Sequence, residues 1–343
     1  MRTGKKFVRG GGRLKSMIKI FIHKYDAIIS IENLLNAWQN FKRNKKNKKD
    51  VQVFERDLMK NILELYRDLK DRNYTHSSYT HFKINDPKPR DIHKAEARDR
   101  VVHHLLYEFL YPFFNNTFIS DSYSCRLGRG THKGLHKFRS YILKVSKNKT
   151  KACFVLKCDI KKFFANIDHR ILKEILIRKI QDKTLLNLLD NIIDSFHTGL
   201  PLGNLTSQLL VNIYMNEFDQ YMKHKLKVKY YIRYADDFVI LNNDRLYLEN
   251  LVVEIDNFLK EKLKLELHPN KVSVESIYSG VDFLGWVDSS THRVLRNTTK
   301  KRMFRNLKNN NSKIESVASY LGMLKVGQGF KLKERINLLN KIS

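Results

Sequence analysis

The chain has 343 residues, 42% of them hydrophobic, with 65 Lys and Arg against 35 Asp and Glu for a formal net charge of +30. It is long and apolar enough for a core of more than one lobe, which excludes a disordered basic tail protein, and the surplus of positive charge must lie on the surface, where it attracts a polyanion: nucleic acid first, an anionic membrane second. No apolar run approaches the roughly 20 residues that span a bilayer, and three cysteines without a CxxC pair, Cys125, Cys153 and Cys158, exclude a disulfide scaffold or zinc ribbon and point to a reducing compartment.

Residues 1–20 contain no acid and read either as a transit peptide or as a flexible basic arm that adds phosphate contacts. Ile31, Leu34, Leu35 and Trp38 then recur at helical spacing behind Ser30, a candidate N-cap. The lysine-rich run 42–49 reads as an exposed loop, touching nucleic acid or merely solvated. Phe54, Leu58, Ile62, Leu65 and Leu69 predict one amphipathic helix of about five turns. Segment 79–92 turns β-like and meets Pro87 and Pro89, so Lys88 and Arg90 stand on a stiff edge or turn suited to a triphosphate. A helix over 95–114 carries Val101, Val102, Leu105, Leu106, Phe109 and Leu110 inward, with Arg98 and Arg100 among its polar positions. His103 and His104 are adjacent and so face different directions, which argues against a shared metal. Segment 122–132 mixes Gly128 and Gly130 with Arg126, Arg129 and hydroxyls, donors that suit phosphate or sugar or else a purely structural loop.

The apolar run 152–158 reads as a buried strand ending at Asp159, and alternation puts Asp159 on the face of Cys153 and Val155. Two helices are predicted near 171–180 and 185–196. The turn 198–204 leads into a long helix on which Leu210, Tyr214, Phe218 and Tyr221 share a face. Segment 230–241 places Asp236 and Asp237 at the tip of a hairpin, because the flanking residues are aromatic and β-branched. Adjacent carboxylates repel, and unless a cation meets them at least one pKa rises. The pair reads either as a solvated turn or as the holder of a divalent metal such as Mg²⁺. A helix with Leu248, Leu251, Ile255, Phe258 and Leu259 inward, short strands within 265–272 and 280–286, and a basic, mostly helical remainder from Arg293 complete the chain. The order strand, helices, strand, strand, helix, strand matches a split βαβ sheet covered by helices on one face. Such a topology brings Asp159 beside Asp236, where a third carboxylate serves a two-metal site.

Taken together, Tyr234-Ala235-Asp236-Asp237, Asp159 with Phe163-Phe164, and Phe283-Leu284-Gly285-Trp286 resemble the YxDD box, the first catalytic motif and the primer grip of the reverse transcriptases, over about residues 80–290. Leu202-Gly203-Asn204-Leu205-Thr206-Ser207-Gln208 stands where group II intron and retroviral-type enzymes usually have Gln-Gly…Ser-Pro. It resembles the form found in diversity-generating retroelements, and the compact length, with no maturase, endonuclease or ribonuclease H segment expected, agrees. The resemblance implies an α+β right-hand polymerase fold: a basic arm (1–29), fingers (30–150), palm (151–288) and a short helical thumb (289–343).

It further implies RNA-directed DNA synthesis, error-prone at template adenines, with two Mg²⁺ ions for which Mn²⁺ substitutes. Asp159 and Asp236 would bridge the ions about 3.5–4 Å apart, with Asp237 in support and the Ile160 carbonyl completing one shell. Lys88 and Arg90 would meet the triphosphate, Phe164 the sugar, and Leu202, Gly203 and Gln208 the incoming nucleotide, while Phe163 is a core residue. Lys271 either protonates the leaving pyrophosphate or is a surface lysine. Arg100, Arg126, Arg129, Phe283, Leu284, Gly285, Lys300, Lys301, Arg302 and Arg305 would contact template and primer. The implied partners are template RNA, a DNA or RNA primer, deoxynucleoside triphosphates, a basic accessory variability protein and a structured retroelement RNA. No membrane partner is implied, and the implied setting is the cytoplasm of a bacterium, with a bacterial or phage gene. Two other readings stand beside it: another bacterial reverse transcriptase, of an antiphage-defence, abortive-infection or retron system, and a non-catalytic RNA-binding scaffold of the same fold.

Overall fold

The computed structural model describes residues 20–85, 89–309 and 314–342. A short helical turn, α1 (Tyr25–Ile28), precedes α2 (Ile31–Lys42), which starts where the Ser30 hydroxyl accepts the Asn33 amide at 3.1 Å. The apolar steps from Phe54 to Leu69 belong to two helices rather than one, α3 (Lys49–Arg56) and α4 (Leu58–Lys70), because the backbone turns at Asp57 (φ −112°, ψ 37°). The break lets Phe54 lie against Trp38, ring centroids 4.9 Å apart, while Ile62, Leu65 and Leu69 enter the core. In the lysine run, Lys42 pairs with Glu55 at 2.7 Å and the Lys45 ammonium donates to the Phe41 carbonyl at 2.7 Å. Those two lysines are therefore tied to the fold rather than free in a loop.

Strands β1 (Thr80–Ile84) and β2 (Arg90–Lys94) pair antiparallel and lead into α5 (Ala97–Asn115) and α6 (Thr131–Val145). Next come β3 (Phe154–Asp159), a 3₁₀ turn at Phe163–Asn166, then α7 (His169–Ile177), α8 (Lys183–Asp194) and α9 (Leu205–Gln220). Strands β4 (Tyr231–Tyr234) and β5 (Asp237–Asn242), helix α10 (Arg245–Leu263) and strand β6 (Ser273–Ser276) follow. A second sheet is formed by β7 (Val281–Phe283), β8 (Trp286–Asp288) and β9 (Arg293–Leu295), and the remaining helices are α11 (Asn297–Asn309), α12 (Ile314–Met323) and α13 (Phe330–Ile342). The fold is α+β with antiparallel sheets, as expected.

The main sheet has the order β4-β5-β3-β6, antiparallel throughout. Both of its faces are covered, not one. Leu156, Cys158, Tyr231, Phe238 and Ile240 point into a core shared with α5 and α7 to α10, whereas Cys153, Val155, Ile232, Val239 and Leu241 point into a second core with α6, β7 to β9 and α11 to α13. Period-two alternation in strands apolar on both sides gives this result directly. The segment 265–272 is not a strand: Leu267 makes an isolated bridge to Ile160, and pairing with β3 begins at Ser273. The C-terminal region likewise begins with a strand, β9, before its helices. Among the described residues no helix is long and apolar enough to cross a membrane.

Candidate active site

Antiparallel register sets the site. Asp159 is the last residue of β3 and lies opposite Asp237, the first residue of β5, with Asp236 in the tight turn between β4 and β5. Ala235 takes φ +57° to make that turn, a left-handed conformation that a small side chain tolerates better than a branched one. The Ile160 amide donates to the Asp236 carbonyl at 3.3 Å, which fixes the first peptide after β3 beside the acids. On the other side the His268 amide donates to the Asp159 carbonyl at 2.7 Å, and the turn after it delivers Lys271, whose ammonium meets Asp159 Oδ2 at 2.8 Å. Lys271, an exposed lysine, is thus placed at the carboxylates.

Burial, then the neighbouring Asp159 charge, raises the Asp236 pKa, and Lys271 and Arg90 oppose the rise. Crowding by protein atoms and the like charges of Asp236 and Asp159 push the Asp237 carboxyl up to about 7. Asp237 is nonetheless exposed to solvent, so the like-charge contribution is the one that a cation would remove. Among the described residues no group of three or more His, Cys, Asp or Glu is arranged to hold a metal ion by itself. An under-neutralised carboxylate cluster open to solvent does fit a hard divalent cation that takes one or two carboxylates and completes its shell with substrate oxygens.

The hairpin tip is held from beneath by residues that sequence reading passed over. Arg233, fully buried in β4, donates to both oxygens of Asp219 on α9, at 2.8 and 2.7 Å, and to the Ala235 carbonyl at 3.2 Å. Tyr231 donates to the same Asp219 at 2.7 Å, and Asn212 and the Ser122 hydroxyl accept the remaining guanidinium protons at 3.3 and 3.2 Å. Burial alone would lower the Arg233 pKa; the paired carboxylate outweighs it and raises it. A fully satisfied buried ion pair of this kind fixes geometry more than it adds stability. The signal available in the sequence was an arginine inside an apolar strand, which demands an acid, and Asp219 within the long, mostly apolar helix that precedes that strand.

The turn before α9 docks on two elements at once. Gly199 has φ +68°, and a Cβ there would come within 2.3 Å of the Phe164 carbonyl, which accepts the Leu200 amide at 2.8 Å. The Leu202 carbonyl accepts the His93 amide of β2 at 3.0 Å, and Asn204 returns a bond to the His93 carbonyl at 3.0 Å. Gly203 has φ +115° and passes Ile92 closely enough that a Cβ would stand 2.9 Å from its Cγ2. Phe164, Leu202, Gly203 and Arg90 are therefore linked through β2 and this turn; Gln208 lies one turn into α9, half-buried. Phe163 is buried, as expected. Lys88 lies outside the described residues.

Three of the expected nucleic-acid contacts are turned inward. Arg100 pairs with Asp50 and lies 4.6 Å over the Phe41 ring. Arg126 donates to Asn115 Oδ1 at 2.9 Å and to the carbonyls of Ile119 and Ser122 at 2.7 and 2.9 Å, bracing its own loop. Phe283 is buried against Phe138, centroids 5.0 Å apart. Arg129 is exposed, Leu284 (φ 51°) and Gly285 (φ 85°) form the partly open β7–β8 turn, and Lys300, Lys301, Arg302 and Arg305 are exposed or half-exposed on α11.

Residues 84–287 match the family model described as reverse transcriptase (RNA-dependent DNA polymerase). YkfC of Escherichia coli (strain K12) is 27% identical over 256 residues, which covers 62% of this chain and 65% of that one. The group II intron-encoded protein LtrA of Lactococcus lactis subsp. cremoris is 22% identical over 316 residues, covering 70% and 51% respectively. A solved structure of telomerase from Candida albicans with a fragment of telomeric RNA aligns with a TM-score of 0.48 at 11% identity, over 70% of this chain and 52% of that one. The chain spans about half to two-thirds of the length of these curated relatives.

Proposed function

Because this chain belongs to the reverse transcriptase (RNA-dependent DNA polymerase) family, we propose that it extends a DNA or RNA primer along an RNA template with deoxynucleoside triphosphates. The observation that carries this reading is the register of β3 against β5, which brings Asp159 opposite Asp237 and beside Asp236. On this reading residues 1–29 are a basic arm, 30–150 fingers, 151–288 palm and 289–343 thumb of a right-hand polymerase. Asp159 and Asp236, supported by Asp237 and the Ile160 carbonyl, would hold divalent cations. When bound, Mg²⁺ or Mn²⁺ supplies activation of the primer 3′-hydroxyl and charge neutralisation at the triphosphate. Lys271, already against Asp159, supplies a proton to the departing pyrophosphate. Arg90, whose charge reaches Asp236, clamps triphosphate oxygens together with Lys88. Phe164 lies under the sugar, and Leu202, Gly203 and Gln208 face the nascent base pair.

Within the family we assign the chain to the enzymes of diversity-generating retroelements, acting in the cytoplasm of a bacterium with a basic accessory variability protein and a structured retroelement RNA. The support is the segment from Leu202 to Gln208, in which an aliphatic residue replaces a hydrogen-bonding one. Loss of such a polar check weakens base selection by about 1–3 kcal/mol. The likeness to LtrA favours a second reading, an intron-type enzyme. Sequencing cDNA made on a defined RNA separates the two. Substitutions concentrated at template adenines, reduced about tenfold or more in Leu202→Gln, are expected. Errors spread evenly over the four template bases, or an adenine rate that Leu202→Gln leaves unchanged, would remove the assignment.

A further inference from the structure

At the end of the main sheet opposite the carboxylates, the structure holds a cavity of about 370 Å³ whose walls include Lys144, Lys147, Lys151, Lys227 and Lys229 and no acid. Asn242, in its wall, pairs with Phe154 at the start of β3, whereas Asp237 pairs with Asp159 at its end. Five residues of extended strand separate the two ends, about 17 Å. Lys144 comes from the last turn of α6, and the other four lysines come from two loops that the sheet brings side by side: 147–151, between α6 and β3, and 227–229, ahead of β4. Both loops are fixed by their own hydrogen bonds. In the first, the Lys151 amide donates to the Ser146 carbonyl at 2.9 Å and the Asn148 amide to the Leu143 carbonyl at 2.8 Å. In the second, the Val228 amide donates to the Met222 carbonyl at 2.9 Å, and the Lys223 ammonium to the Lys229 carbonyl at 3.0 Å.

Among the described residues none of these five lysines pairs with a carboxylate, and the acid next in sequence to the cavity, Asp244, accepts the Tyr247 amide at 3.1 Å as the cap of α10. Half-buried Tyr230 and Tyr247 add ring surface and hydroxyls to the wall, above buried Val145, Val228 and Leu241. Exposed lysines on hydrogen-bonded loops around a hollow walled by two tyrosines supply what an unpaired nucleotide needs, ammonium groups for its phosphates and ring surface for its base. A bilayer would need exposed apolar side chains to enter it, and no lining residue supplies one.

We propose that this cavity is a second nucleic-acid site, binding an unpaired RNA or DNA strand at the back of the protein while the carboxylate cleft is occupied. It stands on different residues from the polymerase reading and goes beyond it. The test uses the full chain with a saturating, unlabelled RNA–DNA primer–template and measures anisotropy of fluorescent rU12 or dT12. Both oligonucleotides, or one of them, should still bind, the preferred one identifying the strand. Simultaneous Lys147→Ala, Lys151→Ala, Lys227→Ala and Lys229→Ala should weaken that binding at least tenfold and flatten the slope of log K against log salt by about 3, the value for four phosphate contacts on a single strand. The matching fourfold Lys→Arg variant should bind as the parent does, which separates lost charge from lost folding. Complete displacement of both oligonucleotides by the primer–template, equal binding by the Ala variant, or binding to phosphatidylserine vesicles in place of either oligonucleotide would overturn the proposal. If the primer–template itself does not bind, the cleft reading fails, and the oligonucleotide arms without it still decide the cavity.

Discussion

Asp237 shows how much chemistry one register pair sets. Its carboxyl titrates near 7 because protein atoms crowd it and Asp236 and Asp159 repel its charge. Between the ordinary carboxylate range and that value the folded chain holds a proton that the unfolded chain has lost. Stability contributed by this group therefore falls as pH rises through the window. In EDTA, Asp237→Asn should gain melting temperature relative to the parent between pH 5 and pH 8, and added Mg²⁺ should close the gap. A pH-independent difference would mean that Asp237 is not held under like-charge stress. The three acids were legible in the sequence because strand periodicity and spacing locate them. Arg100 and Arg126 were not, because the groups that absorb them, Asp50 and Asn115 among others, are distant or non-periodic, and a basic residue in sequence does not reveal its partner.

The sheet and its two cores hold the body of the β4–β5 hairpin, but its tip is fixed by α9, through Arg233 gripped by Asp219 and the Ala235 carbonyl tied to that guanidinium. Removing one partner of a buried pair strands the other's charge. Asp219→Asn should cost about 3–5 kcal/mol in chemical denaturation and slow primer extension more than it weakens primer–template binding. A loss under about 1 kcal/mol would show that the pair is not a support. The elements most easily read were those with apolar faces: α2, α5, α9 and the hairpin itself. The stretch 265–272 alternates apolar residues yet contains Pro269 and forms a turn, while the true edge strand, Ser273-Val274-Glu275-Ser276, is too polar to announce itself. The division between α3 and α4 was also hidden, because Asp57 interrupts the backbone without disturbing the apolar spacing.

Across the whole molecule, a sheet apolar on both faces joins two cores and leaves its two ends free for chemistry, carboxylates at one and lysines at the other. The charge of +30 fitted a nucleic-acid partner from the start, but composition does not say which basic residues face outward; only the fold separates Arg100, absorbed, from Arg129, exposed. The central claim is that Asp159, Asp236 and Asp237 form one polymerising centre. Primer extension on a defined RNA template with deoxynucleoside triphosphates and Mg²⁺, comparing the parent with Asp236→Asn, tests it most directly. Template-dependent cDNA should appear with the parent and fall about a thousandfold or more with the variant, the loss corresponding to several kcal/mol of metal-assisted stabilisation. Equal synthesis by both proteins, or no synthesis by a folded parent supplied with primer, template and Mg²⁺ or Mn²⁺, would contradict it.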